Sequence, residues 1–191
     1  TLHLQGGPVA ATRPYADLEG AIAAMAGGQV GVVMVHGANP AYSLPGASGF
    51  NAAFGAVGFK VSFASAPDET SALADLVLPD RHFLEAWGDS GPRPGVMALR
   101  QPVMQAVPHF DAKQTGDVLL SVASRLGHSL GGATFYEYLR GAHQAMHGAD
   151  AVAFEAAWRE ALRKGVSEHP VEAAGAAAGA AAGLLEPAAA A

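Results

Sequence analysis

The chain has 191 residues, half of them apolar, which is enough to bury one sizeable core and suggests one domain with an appendage. Its formal charge of −6, with 11 Lys and Arg scattered singly, offers no basic stripe to follow a phosphate backbone and argues against nucleic acid as a partner. Cysteine is absent, so disulfides, thiolate metal sites, Cys-ligated iron–sulfur clusters and a Cys nucleophile are excluded within these residues.

Thr1 stands where a Met would begin a chain and no basic-then-apolar leader follows it, so the sequence reads as a piece of something larger. "YADLEGAIAAMA" (15–26) places Leu18, Ile22 and Met25 on one helical face, with Pro14 before it and Gly27-Gly28 after it. "VGVVMV" (30–35) is a short, valine-rich apolar run that suits a strand buried on both faces of a parallel sheet. Behind it comes the Gly/Pro loop "HGANPAYSLPG" (36–46), then a short helix in "GFNAAFGAVG" and a second strand in "FKVSFAS". Strand, crossover helix and strand make a parallel βαβ unit. A third unit repeats the theme: "APDETSALA" is a helix capped by Asp68, and "DLVLP" a short strand ended by Pro79.

From Asp80 to Phe110 the chain is rich in Pro and Gly and keeps no period, which reads as a long ordered loop. "TGDVLLSVASRLG" is a helix capped by Thr115 and stopped by Gly127. "TFYEYLRGAHQAM" opens with a Thr134-x-x-Glu137 capping box, and "DAVAFEAAWREALRKG" carries Phe154, Trp158 and Leu162 on one stripe. The tail from Val166 is low complexity. Its Gly175, Gly179 and Gly183 have the small-xxx-small spacing of membrane helix pairs, but the segment is too short and weakly apolar to span a bilayer and reads as an Ala/Gly linker. The expected class is α/β: a Rossmann-like parallel sheet with flanking helices over 1–132, C-terminal helices over 133–165 and a linker over 166–191.

In an open parallel sheet, ligands bind in the crevice at the carboxyl ends of the strands, where "HGANP", "SAPDET" and "PDRHFLEAWGD" meet. Gly37 and Asn39 allow positive φ and can present amides, and Asp68-Glu69-Thr70 opens a helix, a combination suited to a nucleotide-like ligand. The alternative is that these glycines and prolines are turn punctuation and that Asp68 and Thr70 are caps. His143 and His147 share a helical face without an evident third metal ligand and read as a solvated pair, so no metal site is assigned. His82, Glu85, Trp87 and Asp89 form a denser group, suited either to acid–base chemistry or to holding a neighbour as an interface or structural loop. Dinucleotide fingerprint, P-loop, nucleophile elbow and zincin motifs are all missing.

"GANPAYSLP", "DETSALADLVLPDRHFLEAWGD" and "LRQPVMQAVPHFDAKQTGDVLLSVASRLG", in that order, resemble the third domain of the molybdopterin oxidoreductase superfamily over about 15–127. The superfamily pattern is a G-x-N-P loop, a T-E-T-A-x-x-A-D-x-x-L-P segment, an F-x-E step and a closing A-x-x-L-G helix. That resemblance implies a Rossmann-like unit whose strand-end loops hold a molybdopterin guanine dinucleotide, at Gly37, Asn39, Pro40, Asp68, Glu69, Thr70 and Asp75 here. Past Glu85 this chain departs from catalytic members. "EAWGDSGPRPG", with the later "FEAAWREALRKG", is most similar to the molybdopterin-type domain in the iron–sulfur subunit of alternative complex III and in related quinone reductase complexes.

That likeness implies a cofactor-free, non-catalytic scaffold, with iron–sulfur clusters only in the part of the parent subunit absent here. It implies partners in a multihaem cytochrome c and a quinone-binding membrane subunit, and a peripheral position on the periplasmic side of a bacterial inner membrane. Two other readings stand beside it: the cofactor-binding domain of an active molybdenum enzyme of the formate dehydrogenase, nitrate or polysulfide reductase sort, and a small nucleotide-binding module acting alone.

Overall fold

The computed structural model describes residues 15–93, 95–147 and 150–168. Helix α1 (Tyr15–Ala26) forms where expected: good helix formers lie between the punctuating residues, and Ile22 and Met25 bury one face. Gly28, at φ +68°, ends it, with the Gly28 amide donating to Met25 O (3.1 Å) and the Gln29 amide to Ala24 O (3.0 Å).

Strands β1 (Val32–Val35), β2 (Phe59–Ser62) and β3 (Leu76–Val77) make a parallel sheet in the order β1-β2-β3, with Val32 opposite Phe59 and Val61 opposite Leu76. The expected α/β class with a parallel sheet and flanking helices is borne out. Between β1 and β2 run α2 (Pro40–Ser43) and α3 (Phe50–Gly55). Phe50 and Phe54 stack at 5.3 Å and join Ile22, Met25, Ala53 and Val57 in the first core, against which Val33 and Val35 pack. One expectation is corrected here. Strand β1 is covered on one face only: Val33 and Val35 pack against the first core, whereas Val32 and Met34 remain about half exposed.

A second correction concerns the expected helix over "APDETSALA", which shrinks to one 3-10 turn, Ser71–Leu73. Asp68 Oδ1 accepts from the Ser71 amide (2.6 Å) while the Asp68 amide donates to Ser71 Oγ (2.8 Å). This reciprocal closure completes the turn locally and leaves Ala74 extended.

The stretch after Asp80 is not all loop. Strands β4 (Gly88–Arg93) and β5 (Val96–Arg100) form an antiparallel hairpin, to which β6 (Val166–Glu168) adds in the order β4-β5-β6. β4 carries no apolar alternation because it is an edge strand, and its register slips between Ser90 and Arg93, beside Pro92. The tail boundary also moves: the first three tail residues are β6. Gly165, at φ +71°, reverses the chain after the last helix, and its carbonyl accepts from the Leu99 amide (2.8 Å). The Ala/Gly segment itself lies outside the described residues.

Helices α4 (Thr115–Arg125), α5 (Phe135–His147) and α6 (Ala151–Lys164) complete the chain. The capping box forms: the Glu137 amide donates to Thr134 Oγ1 (3.2 Å) and the Thr134 amide to Glu137 Oε2 (3.1 Å). Phe154 and Trp158 are buried with Leu99 and Ala161 in a second core, and Leu162 packs at its margin. Thr115 does not cap α4. Gln114 holds the cap position, and the Thr115 amide donates to Asp80 Oδ1 (2.8 Å), a carboxylate delivered from the end of β3.

Candidate functional site

The carboxyl ends of β1, β2 and β3 open into a cleft of about 480 Å³, lined by the three segments named from the sequence. His36, Gly37 and Asn39 come from the first loop, Phe63 to Asp68 from the second, and Asp80 to Phe83 from the third. Gly37 sits at φ +64° with nothing within 4 Å of a Cβ placed there, so backbone conformation rather than space requires glycine.

Behind the first two loops lies a closed hydrogen-bond knot. Asn39 Nδ2 donates to Glu69 Oε2 (2.6 Å), and Asn39 Oδ1 accepts from the Thr70 amide (3.2 Å) and Thr70 Oγ1 (2.7 Å). Thr70 Oγ1 in turn accepts from the Ala41 amide (3.0 Å), and Thr70 is fully buried. The Asn39 bond, then a backbone bond of its own residue, holds the Glu69 carboxyl below its ordinary range. Residues distant in sequence thus lock the turn that follows β1 to the one that follows β2.

The remaining candidates separate. Asp68 lines the cleft while closing its own turn with Ser71. Pro40 is the first residue of α2 and lies outside the cleft lining. Asp75, at the start of β3, also lies outside it: its Oδ2 takes Lys60 Nζ (2.8 Å) and the Lys60 amide (2.8 Å), and these bonds lower its pKa. Lys60 is itself buried beside α3, donating to Val57 O (3.2 Å), so Asp75 neutralises a buried cation.

Of the third group, His82 alone reaches the cleft; its Nδ1 accepts from the Leu84 amide (3.4 Å) and its ring lies against Phe83. Glu85 Oε1 accepts from the Val107 amide (3.3 Å). Trp87 O accepts from Gln114 Nε2 (2.6 Å), and the Trp87 ring packs on Tyr136 at 4.7 Å. Asp89 pairs with Leu99 in the hairpin. Glu85 and Trp87 therefore tie the third loop to the segments packed behind it.

Asp80 is the residue that spacing alone did not single out. Its Oδ2 accepts from His36 Nε2 (2.8 Å) across the cleft, and its Oδ1 from the Arg81 and Thr115 amides (3.0 and 2.8 Å). Arg81 Nε donates to Ala112 O (3.2 Å). Asp80 and Thr115 are 35 residues apart, so no local pattern marks the pair. His143 does not belong to a solvated pair: it is buried edge-on to Trp158 at 5.1 Å, inside the second core. Among the described residues no three His, Cys, Asp or Glu side chains converge on a metal position.

No protein-family model matches the chain. Over 122 residues it is 41% identical to the molybdopterin-binding-like subunit of menaquinone reductase from Nitratidesulfovibrio vulgaris, a match covering 62% of this chain and 17% of that protein. Acetylene hydratase from Pelobacter acetylenicus superimposes with a TM-score of 0.54 over 78% of this chain and 20% of that one, at 16% identity. The chain is thus similar in sequence to a molybdopterin-binding-like subunit and in fold to a molybdopterin-type enzyme, and it spans about a sixth of the length of the curated relative. At that identity the hydratase shows the fold alone, whereas the menaquinone reductase subunit carries the likeness into sequence and bears out the resemblance to quinone reductase complexes.

In this arrangement the strand-end loops fit poorly the pterin nucleotide that the resemblance implies. Asn39 Oδ1 holds Thr70 through two bonds, Asn39 Nδ2 holds Glu69, and Asp68 is engaged by Ser71. His36 and Asp80 meet across the opening. Of the positions that the superfamily pattern aims at a nucleotide, Asn39, Asp68, Glu69, Thr70 and Asp75 have side chains bonded to the protein itself.

Proposed function

We propose that this chain is a scaffold domain, without its own pterin cofactor, in the molybdopterin-type subunit of a membrane-associated quinone-linked oxidoreductase of the alternative complex III or menaquinone reductase kind. It holds electron-transfer partners, a multihaem cytochrome c and a quinone-binding membrane subunit, on the periplasmic side of a bacterial inner membrane. The observation that carries this reading is the Asn39–Glu69–Thr70 knot behind the first two loops, which engages the Asn39 side chain with Glu69 and Thr70. Two further features agree with it. No helix among the described residues is long and apolar enough to cross a membrane, and the relative at 41% identity is a subunit of a reductase rather than a free-standing enzyme.

A second reading, a working cofactor-binding domain, draws on the open cleft with Arg81 and Gly37 at its wall. The deciding experiment is elemental analysis for molybdenum and tungsten, with chromatography of released guanine nucleotide, on the intact parent complex. Neither above trace level, beside continuing quinone-linked electron transfer, is the expected result. About one metal and one or two nucleotides per complex overturn the scaffold reading.

A further inference from the structure

A second cleft, of about 840 Å³, shares no lining residue with the one at the strand ends and lies between α4 and the chain that returns from it to α5. Asp117, Ser121 and Ser124 line it at spacings of four and three residues, so one polar face of α4 runs along the groove. The facing wall is made by residues 127–130 and 132–134, and the Phe135 amide, donating to Asp117 Oδ1 (2.7 Å), pins its far end to the first turn of α4. Lys113, just before α4, and Arg125, its last residue, mark the two ends of the groove, with His128 three residues past Arg125. Among the described residues neither Lys113 nor Arg125 has a carboxylate partner, in a chain whose formal charge is −6. The dipole of α4 favours a cation at Arg125 but opposes one beside the first turn, so the helix does not account for Lys113. Unpaired charges of one sign along a concave wall draw in groups of the other sign.

We infer that this groove seats an extended segment of another subunit of the parent complex, with a carboxylate at each end and uncharged residues between. The inference rests on the reading of the chain as a scaffold and names one surface by which it holds a neighbour. The 11 residues of α4 span ~16 Å. An extended chain rises ~3.3 Å per residue, so acids about five residues apart reach Lys113 at one end and Arg125 at the other. Between them the Ser121 and Ser124 hydroxyls can donate to and accept from the backbone of the segment. The Asp117 carboxylate lies between the two ends and repels a third acid, which is why the middle of the segment is uncharged. A small molecule with one phosphate or carboxylate meets only one end of the groove and is the weaker occupant.

The test is cross-linking of the intact parent complex with a water-soluble carbodiimide, which joins an amine to a carboxylate in contact with it, followed by peptide mass spectrometry. Lys113 is expected to be joined to an Asp or Glu of another subunit. No link at Lys113, or a link only to a carboxylate of its own subunit, overturns the inference. Complexes carrying Arg125→Glu should then give about tenfold less of the Lys113 link, because the segment loses its second anchor, while Arg125→Lys should stay within about threefold of wild type. Thermal melting of the variant subunits checks that they fold, and a Lys113 link indifferent to Arg125→Glu in a folded variant also overturns the inference. Pterin content does not enter this readout. A complex that holds guanine nucleotide and still shows the Lys113 link defeats the scaffold reading alone, and one that holds none and lacks the link defeats this inference alone.

Discussion

The two cores of the molecule are assembled by opposite strategies. In the first, strands β1, β2 and β3 follow one another with short crossovers, and the core residues Ile22, Met25, Phe50 and Phe54 lie on neighbouring elements of the same stretch. In the second, β5 at Val96–Arg100 waits for β6 at Val166–Glu168, and Leu99 meets Phe154 and Trp158 across most of the C-terminal half. Between them stands the third strand-end loop, with Asp80 reaching His36 on one side and Thr115 on the other. Local assembly leaves a cleft at the strand ends; long-range assembly clamps the loop that forms its third wall.

Truncating the second core is the strongest way to separate the two. Trp158 is 3% exposed and touches Tyr136, His143 and Phe154. Trp158→Ala should cost about 3–5 kcal/mol by lost burial and the cavity left behind. If the cores are distinct cooperative units, hydrogen exchange will show β5 and β6 losing protection while amides of β2 keep theirs. Equal loss in β2 would mean that one unit spans both cores.

Next in size is the knot behind the cleft. Asn39→Ala leaves the fully buried Thr70 without the acceptor of its amide and hydroxyl, a loss of about 1–3 kcal/mol. The same change removes the bond that depresses Glu69, so its carboxyl should titrate closer to the ordinary value in a carbon-detected NMR pH series. An unmoved Glu69 would show that the bond is not formed in solution. Smaller again is Gly37→Ala, about 1 kcal/mol for a Cβ at positive φ, because nothing crowds that position. Thermal unfolding checks it. A much larger loss would mean that the loop is packed more tightly than its open surroundings indicate.

What was legible follows the same division. α1, the three parallel strands, the capping box of α5 and the Phe154/Trp158 stripe each depend on residues a few positions apart, and each was readable as a pattern. The meeting of the three loops followed from sheet topology rather than from any residue in them. The hairpin was not readable, since Gly88, Asp89, Ser90, Gly91 and Pro92 give an edge strand no apolar alternation. Nor was the cap on α4, whose acceptor arrives from Asp80, or the burial of His143, which a helical face alone could not distinguish from solvation.

The smallest effect lies on the surface of the second core and carries a pH sign. Glu160 accepts from Arg163 Nε (2.8 Å) and Nη2 (2.6 Å) and lies 3.0 Å from Lys164 Nζ. Those partners, Arg163 first, pull its carboxyl from the ordinary 4.5 to about 2. A carboxyl depressed in the folded state stabilises above its ordinary pKa and loses that contribution as pH falls through the folded value. Wild type should therefore melt slightly above Glu160→Gln at neutral pH, with the gap narrowing below pH 4.5 and closing near pH 2. Because these groups are exposed, added salt should shrink the gap as well. A gap constant with both pH and salt would assign the effect of the substitution to helix propensity in α6 rather than to the ion pairs.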